Sequence, residues 1–256
     1  GLRMLFGIPS KYIVPALVLV LLWAEFGVRR FKPGFSVRHP HVLRGVILVG
    51  LGLAAILGIR EFSSFYWSTG KYFNYYEFFH YYVGAKYAPE LGYGDFYKGV
   101  AIAQAETEGR LALKSVRDLN THAIIPVQQV LGEAEAIKGR FAEGRWTEFK
   151  GDVEFYRAAT GRNLWQRMLT DKGYNAPPVW TMIGGFLANA IPISNDVGMQ
   201  FLAVLDLLLT GMAFACLWWA FGAETAFLWA AFFGAHYLIS THMTLRAAFL
   251  RLDWVM

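Results

Sequence analysis

The sequence predicts an all-α, polytopic helical membrane protein with about five or six transmembrane helices and a large helical outer loop containing interfacial helices. Three observations support this prediction. Hydrophobic residues make up 55% of the chain, charged residues make up only 17%, and the mean hydropathy is +0.34. Long apolar runs recur along the chain, and they leave one sizeable polar stretch at residues 61–177. We find no alternation of apolar and polar residues that predicts a strand.

The apolar runs are the predicted membrane helices. A crossing helix needs about 20 apolar residues, with a range of about 17–25. The runs occupy residues 12–28, 42–59, 178–193, 197–222, 225–239 and the stretch from 249 onward. The run at 197–222 is long enough without difficulty, whereas those at 178–193 and 225–239 are short and are expected to be tilted, partial or re-entrant helices.

The loop between the first two runs sets the predicted orientation. It contains five basic side chains and no acid: Arg29, Arg30, Lys32, Arg38 and Arg44. An excess of Lys and Arg marks cytoplasmic loops, so the polar stretch that follows is expected on the outer side. The predicted parts are therefore two membrane helices in residues 1–60, a periplasmic or extracellular helical domain in 61–177, and further membrane helices in 178–256.

The formal net charge of +5 is explained by that basic loop, because residues 61–177 carry equal numbers of acidic and basic side chains. Nucleic-acid binding therefore gains little support. Cys216 is the single cysteine and lies in an apolar run, so the chain has no internal disulfide and no cysteine-based metal site. We expect neither a metal nor another cofactor.

The polar stretch begins with an unusual density of aromatic residues. More than half of residues 62–82 are aromatic, and they surround the carboxylate of Glu77 and the imidazole of His80. Rings with a polar group concentrate at the membrane–water interface, so we expect an aromatic belt with Glu77 facing the head groups of the outer leaflet. Apolar residues three and four apart then predict amphipathic helices on or near the membrane. These helices are predicted at residues 100–119, 124–141 and 146–169.

Glu77 and His80 are the candidate catalytic residues. A carboxylate among aromatic rings loses hydration, which raises its proton affinity and suits it to act as a general base. On a helix His80 lies three residues further on and on the same face, which is compatible with an acid–base dyad. The alternatives are that Glu77 faces headgroup water or pairs with Lys71 or Lys86, and that His80 is an interfacial residue with a satisfied partner.

A second group of candidates lies near the C-terminus, where His242, Arg246, Arg251 and Asp253 fall between apolar runs. Arginine binds phosphate oxygens through two parallel hydrogen bonds, so this segment is a candidate phosphate clamp. Ordinary membrane-flanking arginines are the alternative.

The side of the membrane reached by this segment depends on the short apolar runs. If the runs at 178–193, 197–222 and 225–239 all cross, residues 240–253 lie on the cytoplasmic side, opposite Glu77. The segment joins Glu77 only if one of the short runs fails to cross.

The residues around Glu77 resemble a known signature. Glu77-Phe78-x-x-Tyr81-Tyr82-x-Gly84-Ala85, followed by Leu91-Gly92-Tyr93 and Phe96-Tyr97, is similar to the acidic-Phe-x-x-Tyr-Tyr…Gly-x-x-Leu-Tyr pattern of polyprenyl-phosphate-dependent mannosyltransferase-like proteins of the GT-C superfamily. In those proteins the pattern opens the first outer loop. Residues 173–179 resemble the Tyr-x-x-Pro-Pro element that begins their next membrane helix. Residues 247–254 resemble a Gly-Ala-Phe-Leu-Arg-Gln-Asp-Trp stretch in bacterial membrane proteins of this kind.

The resemblance implies an integral protein of the bacterial inner membrane that takes a sugar from a polyprenyl-phosphate carrier. An acid at the position of Glu77 would deprotonate the acceptor hydroxyl for an inverting displacement, and arginines would hold the donor phosphate. The family acid is commonly Asp, whereas this chain has Glu. The predicted substrate-binding residues are Arg60, Tyr81, Tyr82, His242, Arg246, Arg251 and Asp253.

The alternative function is a non-catalytic accessory or structural transmembrane subunit of a larger membrane protein complex. Its aromatic belt and neutral outer domain would then form a docking surface. We expect the chain to be a fragment or a processed form, because it begins with Gly1, ends as a new apolar run starts, and lacks the later helices of the resembled fold.

Overall fold

The computed structural model describes residues 4–5, 8–31, 42–53, 74–109, 113–173, 175–235 and 249. This part of the chain is mostly helical, which agrees with the all-α prediction. The chain divides into two compact units. The first comprises Gly1–Tyr72 and Val204–Ala247, and the second comprises Phe73–Ala203 and Ala248–Met256. The predicted division at residues 60 and 177, which follows membrane topology, stays a prediction.

The first unit contains four of the apolar helices. Its elements are β1 (Met4–Leu5), β2 (Ile8–Pro9), α1 (Ser10–Phe31), α2 (Val42–Leu53), most of α12 (Asp196–Phe221) and α13 (Ala223–Ala235). Val18 of α1 packs with Ile47 and Leu51 of α2, and side chains of α13 complete this cluster. Nη2 of Arg44 lies 3.1 Å from Oε2 of Glu224, which joins the start of α2 to the start of α13.

Among the described residues, one helix is long and apolar enough to cross a membrane. This is α12, with 26 residues, and only 17% of its most apolar window is buried by protein. The apolar parts of the other helices in the first unit are shorter: Pro15–Val28, Val42–Leu53 and Ala223–Phe233. The structure therefore supports association with a membrane through at least this candidate span.

The second unit is built from many short helices around an aromatic core. In chain order they are α3 (Tyr75–Phe78), a π-helical turn (Phe79–Val83), α4 (Gly84–Lys86), α5 (Ala88–Leu91), α6 (Phe96–Glu108), α7 (Val127–Leu131), α8 (Ala134–Lys138), α9 (Arg145–Thr160), α10 (Arg162–Met168), α11 (Pro178–Ala190) and the first turns of α12. The segment from α3 to α4 is continuously helical and packs between α9 and α11.

The predicted amphipathic helices are shorter than expected. Helix α6 ends at Glu108, before Gly109 with φ of 91°, and residues 115–117 of the helix predicted at 100–119 form a strand instead. The helix predicted at 146–169 is interrupted at Gly161, with φ of 68°. Glycine adopts such positive φ values without steric cost, and the chain leaves the helix there. The helix predicted at 124–141 is the short pair α7 and α8.

The described part of the chain contains two short antiparallel strand pairs, which the sequence pattern did not predict. One pair is β1–β2, and the other joins β3 (Ser115–Arg117) to β4 (Ile124–Pro126). The turn between β3 and β4 is stabilised by a hydrogen bond of 2.9 Å from the Asn120 N–H to Oδ1 of Asp118. Strands of two or three residues are too short for a period of two to be visible in the sequence.

The aromatic segment is described from residue 74 onward, and its rings lie mainly in the core. Phe78, Phe79 and Tyr82 are fully buried, and Tyr81 is buried as well. Large rings are favoured both at a lipid interface and in a protein core, so composition alone did not separate the two environments. The interpretation of a lipid-facing belt is wrong for these four residues, and residues 62–73 lie outside the described part.

Candidate functional site

Glu77 lies in the first turn of the helical segment that begins at Tyr75. Asn74 precedes this helix, and its Oδ1 accepts hydrogen bonds from the N–H groups of Tyr76 (3.1 Å) and Glu77 (3.3 Å). Asparagine suits this position because the first turn of a helix leaves its N–H groups without helical partners. Glu77 is half-buried and the next residue, Phe78, is fully buried. The carboxylate is therefore carried on a fixed backbone at the edge of the aromatic core.

His80 lies in the π-helical turn, where it is buried and hydrogen-bonded at both ring nitrogens. Nδ1 is 2.7 Å from the carbonyl oxygen of Tyr76, which can only accept, so Nδ1 carries the proton. Nε2 lies 2.7 Å from the hydroxyl of Tyr97, which can donate or accept, and 3.2 Å from the carbonyl oxygen of Met168, which can only accept. Burial raises the pKa of Tyr97 well above its ordinary value, so its hydroxyl keeps its proton. These contacts are those of a satisfied interior histidine, and the predicted dyad with Glu77 stays a prediction.

Tyr76 connects Glu77 to a carboxylate that the sequence analysis missed. Its hydroxyl donates a short hydrogen bond to Oδ2 of Asp171, which is 95 residues away in the chain. Burial raises the pKa of Tyr76, the hydrogen bond and charge of Asp171 and the charge of Glu77 raise it further, and Arg167 acts in the opposite direction. Glu77, Asp171 and Arg167 thus all lie close enough to act on one phenol. No periodicity links Asp171 to Tyr76, and its only sequence signal is its place just before the Tyr-x-x-Pro-Pro-like element.

Tyr81 and Tyr82, which we predict to bind substrate, pack against α11. The ring of Tyr81 meets Trp180 edge-on, with centroids 5.2 Å apart. The hydroxyl of Tyr82 donates to the carbonyl oxygen of Ile191 at 2.7 Å. Both residues therefore hold α11 in place, and their contact with a substrate stays a prediction.

Most of the predicted phosphate-binding residues lie outside the described part of the chain. These are Arg60, His242, Arg246, Arg251 and Asp253. Phe249, within the same C-terminal segment, is described and is fully buried in the second unit. Its ring centroid lies 5.5 Å from that of Phe78, 6.0 Å from that of Tyr82 and 5.5 Å from that of Trp180.

A cleft of about 550 Å³ opens between the turn after α5 and the start of α11. Tyr93, Asn175 and Thr181 provide its polar groups. The hydroxyl of Tyr93 donates to the carbonyl oxygen of Lys172 at 2.6 Å, so one wall of the cleft is fixed to the residue that follows Asp171. Its volume lies within the range of about 300–1,000 Å³ found for small-molecule sites.

The sequence left open an ion pair between Glu77 and Lys86. In the structure Lys86 instead pairs with two carboxylates of α9. Its Nζ is 2.7 Å from Oδ2 of Asp152 and 2.7 Å from Oε1 of Glu148, both on α9. The hydroxyl of Tyr87 donates to the same Asp152 oxygen at 2.9 Å. Burial raises the pKa of Asp152, although Lys86 and Tyr87 act to lower it. This buried cluster fixes α4 to α9.

Acid is expected to destabilise the second unit. Burial acts to raise the pKa of Glu106 and Glu148, but hydrogen bonds from Trp146 to Glu106 and from Lys86 to Glu148 help to hold both values below the ordinary range. Such groups contribute stability above the unfolded-state pKa, about 4.3 for Glu, and lose it as the pH falls through the lower folded-state pKa. Asp152 has the opposite effect: its pKa is raised in the folded protein, so its protonation in acid stabilises the folded state.

Urea unfolding of the protein in detergent, followed by circular dichroism at a series of pH values, measures this effect. Glu148→Gln is expected to weaken the acid dependence, whereas Glu154→Gln, at an exposed position on the same helix, is expected to leave it unchanged. Stability that increases steadily as the solution is acidified below about pH 4 would contradict the prediction.

Among the described residues, no group of three or more His, Cys, Asp and Glu side chains is arranged to hold a metal ion. Comparison of the chain with protein-family models, with curated proteins and with solved structures finds no significant match.

Proposed function

We propose that the protein is a polytopic, glycosyltransferase-like membrane protein that takes a sugar from a polyprenyl-phosphate carrier at the outer membrane face. The observation that carries this proposal is the packing of Phe249 against Phe78. Phe78 follows Glu77 directly, and Arg251 follows Phe249 by two residues. Phe249, a neighbour in sequence of the residues expected to bind phosphate, therefore contacts the helix that carries the expected base.

The proposed chemistry is an inverting displacement at the anomeric carbon of the carrier-linked sugar. The acceptor hydroxyl oxygen forms a bond to that carbon as the bond to the carrier phosphate oxygen breaks. The acceptor proton passes to the carboxylate of Glu77, and the phosphate leaves with the electron pair. Arg60, Arg246 and Arg251 hold the phosphate, since guanidinium groups match its oxygens in charge and geometry.

Exposed apolar side chains support embedding of several helices in a membrane. Trp23 on α1 is 79% exposed and Trp219 on α12 is 88% exposed, and large apolar residues such as Val49 on α2 are also uncovered. Surfaces of this kind are unfavourable in water and are stabilised by lipid. We place the protein in the bacterial inner membrane with residues 61–177 outside the cytoplasm, in accord with the basic loop at residues 29–44.

The test is transfer of radiolabelled mannose from polyprenyl phosphate in membranes that contain the protein. Phe249→Ala is expected to lower transfer strongly because it detaches the phosphate-binding segment from the helix of Glu77. The matched control is Phe149→Ala, which removes another fully buried ring that packs against Tyr87. Each variant is expected to lose about 3–5 kcal/mol of stability, so both are assayed where they remain folded. Absence of transfer by the wild-type protein, or equal loss in both variants, would contradict the proposal.

A second candidate function is a non-catalytic accessory subunit of a larger membrane complex. The burial of His80, Tyr81 and Tyr82 favours it, because these side chains are occupied by contacts within the protein. On this hypothesis the uncovered apolar helices bind other membrane subunits. Co-purification of the intact chain with defined membrane partners, combined with no sugar transfer, would support it over the transferase.

A further inference from the structure

Helix α11 has two apolar faces, only one of which is covered by protein. Trp180, Gly184 and Ala188 are buried against the π-helical turn and α4. The approach is close, because a Cβ atom on Gly185 would lie 3.0 Å from the carbonyl oxygen of Ala85. The opposite stripe is uncovered and consists of Val179, Met182, Ile183 and Phe186. Met182 is 76% exposed and Phe186 is 73% exposed, which is unfavourable in water.

The polar groups of α11 are suited to lipid. The helix carries no charged residue, and besides the indole of Trp180 its polar side chains are Thr181 and Asn189. The hydroxyl of Thr181 donates to the carbonyl oxygen of Pro177 at 3.2 Å, and the amide of Asn189 donates to that of Gly185 at 2.7 Å. Both side chains thus bond to their own backbone one turn earlier. Internal satisfaction of this kind is what a water-free environment requires.

Helix α11 is too short to cross a bilayer, and both of its ends lie within the described part of the chain, whereas α2 and α13 end at the limit of that part. Its 13 residues span about 20 Å, against a hydrocarbon thickness of about 30 Å. It is followed by the polar and exposed residues Ser194, Asn195 and Asp196. Asn195 accepts a hydrogen bond of 3.0 Å from the Gly198 N–H and so caps α12, which is the candidate span. The joint between α11 and α12 therefore belongs at a membrane surface rather than within the hydrocarbon.

The two long-range contacts at the ends of the apolar helices define how often the chain crosses. Glu224 pairs with Arg44, so the start of α13 lies on the same side of the membrane as the start of α2. Phe249 packs on Phe78, so these two residues lie on the same side of the membrane, which is the outer side if α2 crosses as the basic loop predicts. The chain from residue 173 to Glu224 must then cross an odd number of times. Since α12 supplies one crossing, a second crossing by α11 would place Glu224 on the wrong side.

We propose that α11 does not cross the membrane but lies flat along its outer surface, with the stripe of Val179, Met182, Ile183 and Phe186 in the lipid. The occupant of this stripe is the bilayer itself, because α11 leads directly into the span whose exposed residue Val197 continues the apolar surface. This inference rests on the proposed membrane function. It brings the helix of Glu77, which packs on α11, to the level of the lipid head groups.

Single-cysteine labelling of the full chain tests the topology. In a Cys216→Ala background, one cysteine is placed at Gln128, Ser194 or Ala223, and a membrane-impermeant maleimide is added to right-side-out or inverted vesicles. We expect Ser194→Cys to label from the same side as Gln128→Cys and Ala223→Cys to label only from the opposite side. If Ser194→Cys labels opposite Gln128→Cys, then α11 crosses and the inference fails while the transferase proposal can stand. If all three label in both vesicle types, the chain does not span a membrane and the proposed function fails with it.

Spin labels identify what covers the exposed stripe. Met182→Cys and Phe186→Cys, reconstituted in vesicles of phosphatidylcholine and phosphatidylglycerol, are expected to be accessible to oxygen and shielded from a water-soluble nickel chelate. Gln128→Cys, on the outer domain, is expected to show the reverse. Dipolar broadening between labels would show that a second copy covers the stripe, and accessibility to nickel would show that water does. Either result would overturn the assignment of lipid as the occupant.

Discussion

Replacement of Glu77 by glutamine is expected to lower the rate of sugar transfer by about 10²–10⁴-fold, which is the usual contribution of a positioned general base. Glutamine has nearly the same shape, and the hydrogen bond of 3.3 Å that anchors this residue to Asn74 comes from the backbone N–H. The local helix is therefore expected to persist. What is lost is the ability to take the proton of the acceptor hydroxyl. Initial rates of mannose transfer in reconstituted vesicles, at equal amounts of folded protein, measure the effect.

Two further variants make this prediction specific. Glu77→Asp keeps a carboxylate and is expected to retain part of the activity. Its side chain is one methylene shorter, so the carboxylate can still act as a base but lies further from the acceptor hydroxyl. Glu154→Gln removes the same charge from an exposed position on α9 and is expected to transfer sugar at the wild-type rate. Full activity of Glu77→Gln would remove Glu77 from the mechanism, and equal losses in Glu77→Gln and Glu154→Gln would show that charge alone matters.

The sequence predicted the elements that depend on local composition. The run at 197–222 predicted α12 to within about one residue, because a long, unbroken apolar stretch has few alternatives to a buried or membrane helix. The helices of residues 100–169 were predicted to exist, but their lengths were not predicted correctly. Two of these helices end just before Gly109 and Gly161, which both have positive φ. The sequence alone does not show whether a glycine within a helical pattern adopts a helical or a positive φ.

The candidate site was predicted less completely, because its contacts are not periodic. Glu77 and His80 were selected from their place among aromatic rings, yet the ring nitrogens of His80 bond to Tyr97 and Met168, which are 17 and 88 residues away. Asp171 approaches Tyr76 only because α10 folds back onto the segment of α3. Pairings of this kind depend on how helices pack, and a single sequence carries no direct signal of them.

Replacement of Lys86 by methionine is expected to destabilise the second unit by about 3–5 kcal/mol. The side chain of Lys86 is only 2% exposed and that of Asp152 only 5%, so this ion pair is largely removed from water. Methionine keeps the apolar stem but lacks the ammonium group, whose Nζ also lies 5.3 Å from the centroid of the Tyr87 ring. The Asp152 carboxylate is then left with only the Tyr87 hydroxyl as a described donor. Breaking one side of a buried pair costs more than removing both sides, because the remaining charge is not compensated. Chemical unfolding in detergent, followed by circular dichroism, measures the loss.

The double variant Lys86→Met with Asp152→Asn is expected to be more stable than Lys86→Met alone, because no uncompensated buried carboxylate remains.

The loss of stability caused by Lys86→Met is also expected to become smaller as the pH falls. Burial already raises the pKa of Asp152, and the protonated acid needs no cation beside it. Lys114→Met, at an exposed position, is the matched control and is expected to change stability by no more than about 0.5 kcal/mol. Additive losses in the double variant would show that the two side chains do not interact as described. Because α4 continues the helix that carries Glu77, a confirmed loss would identify the cluster as the anchor of the candidate site on α9.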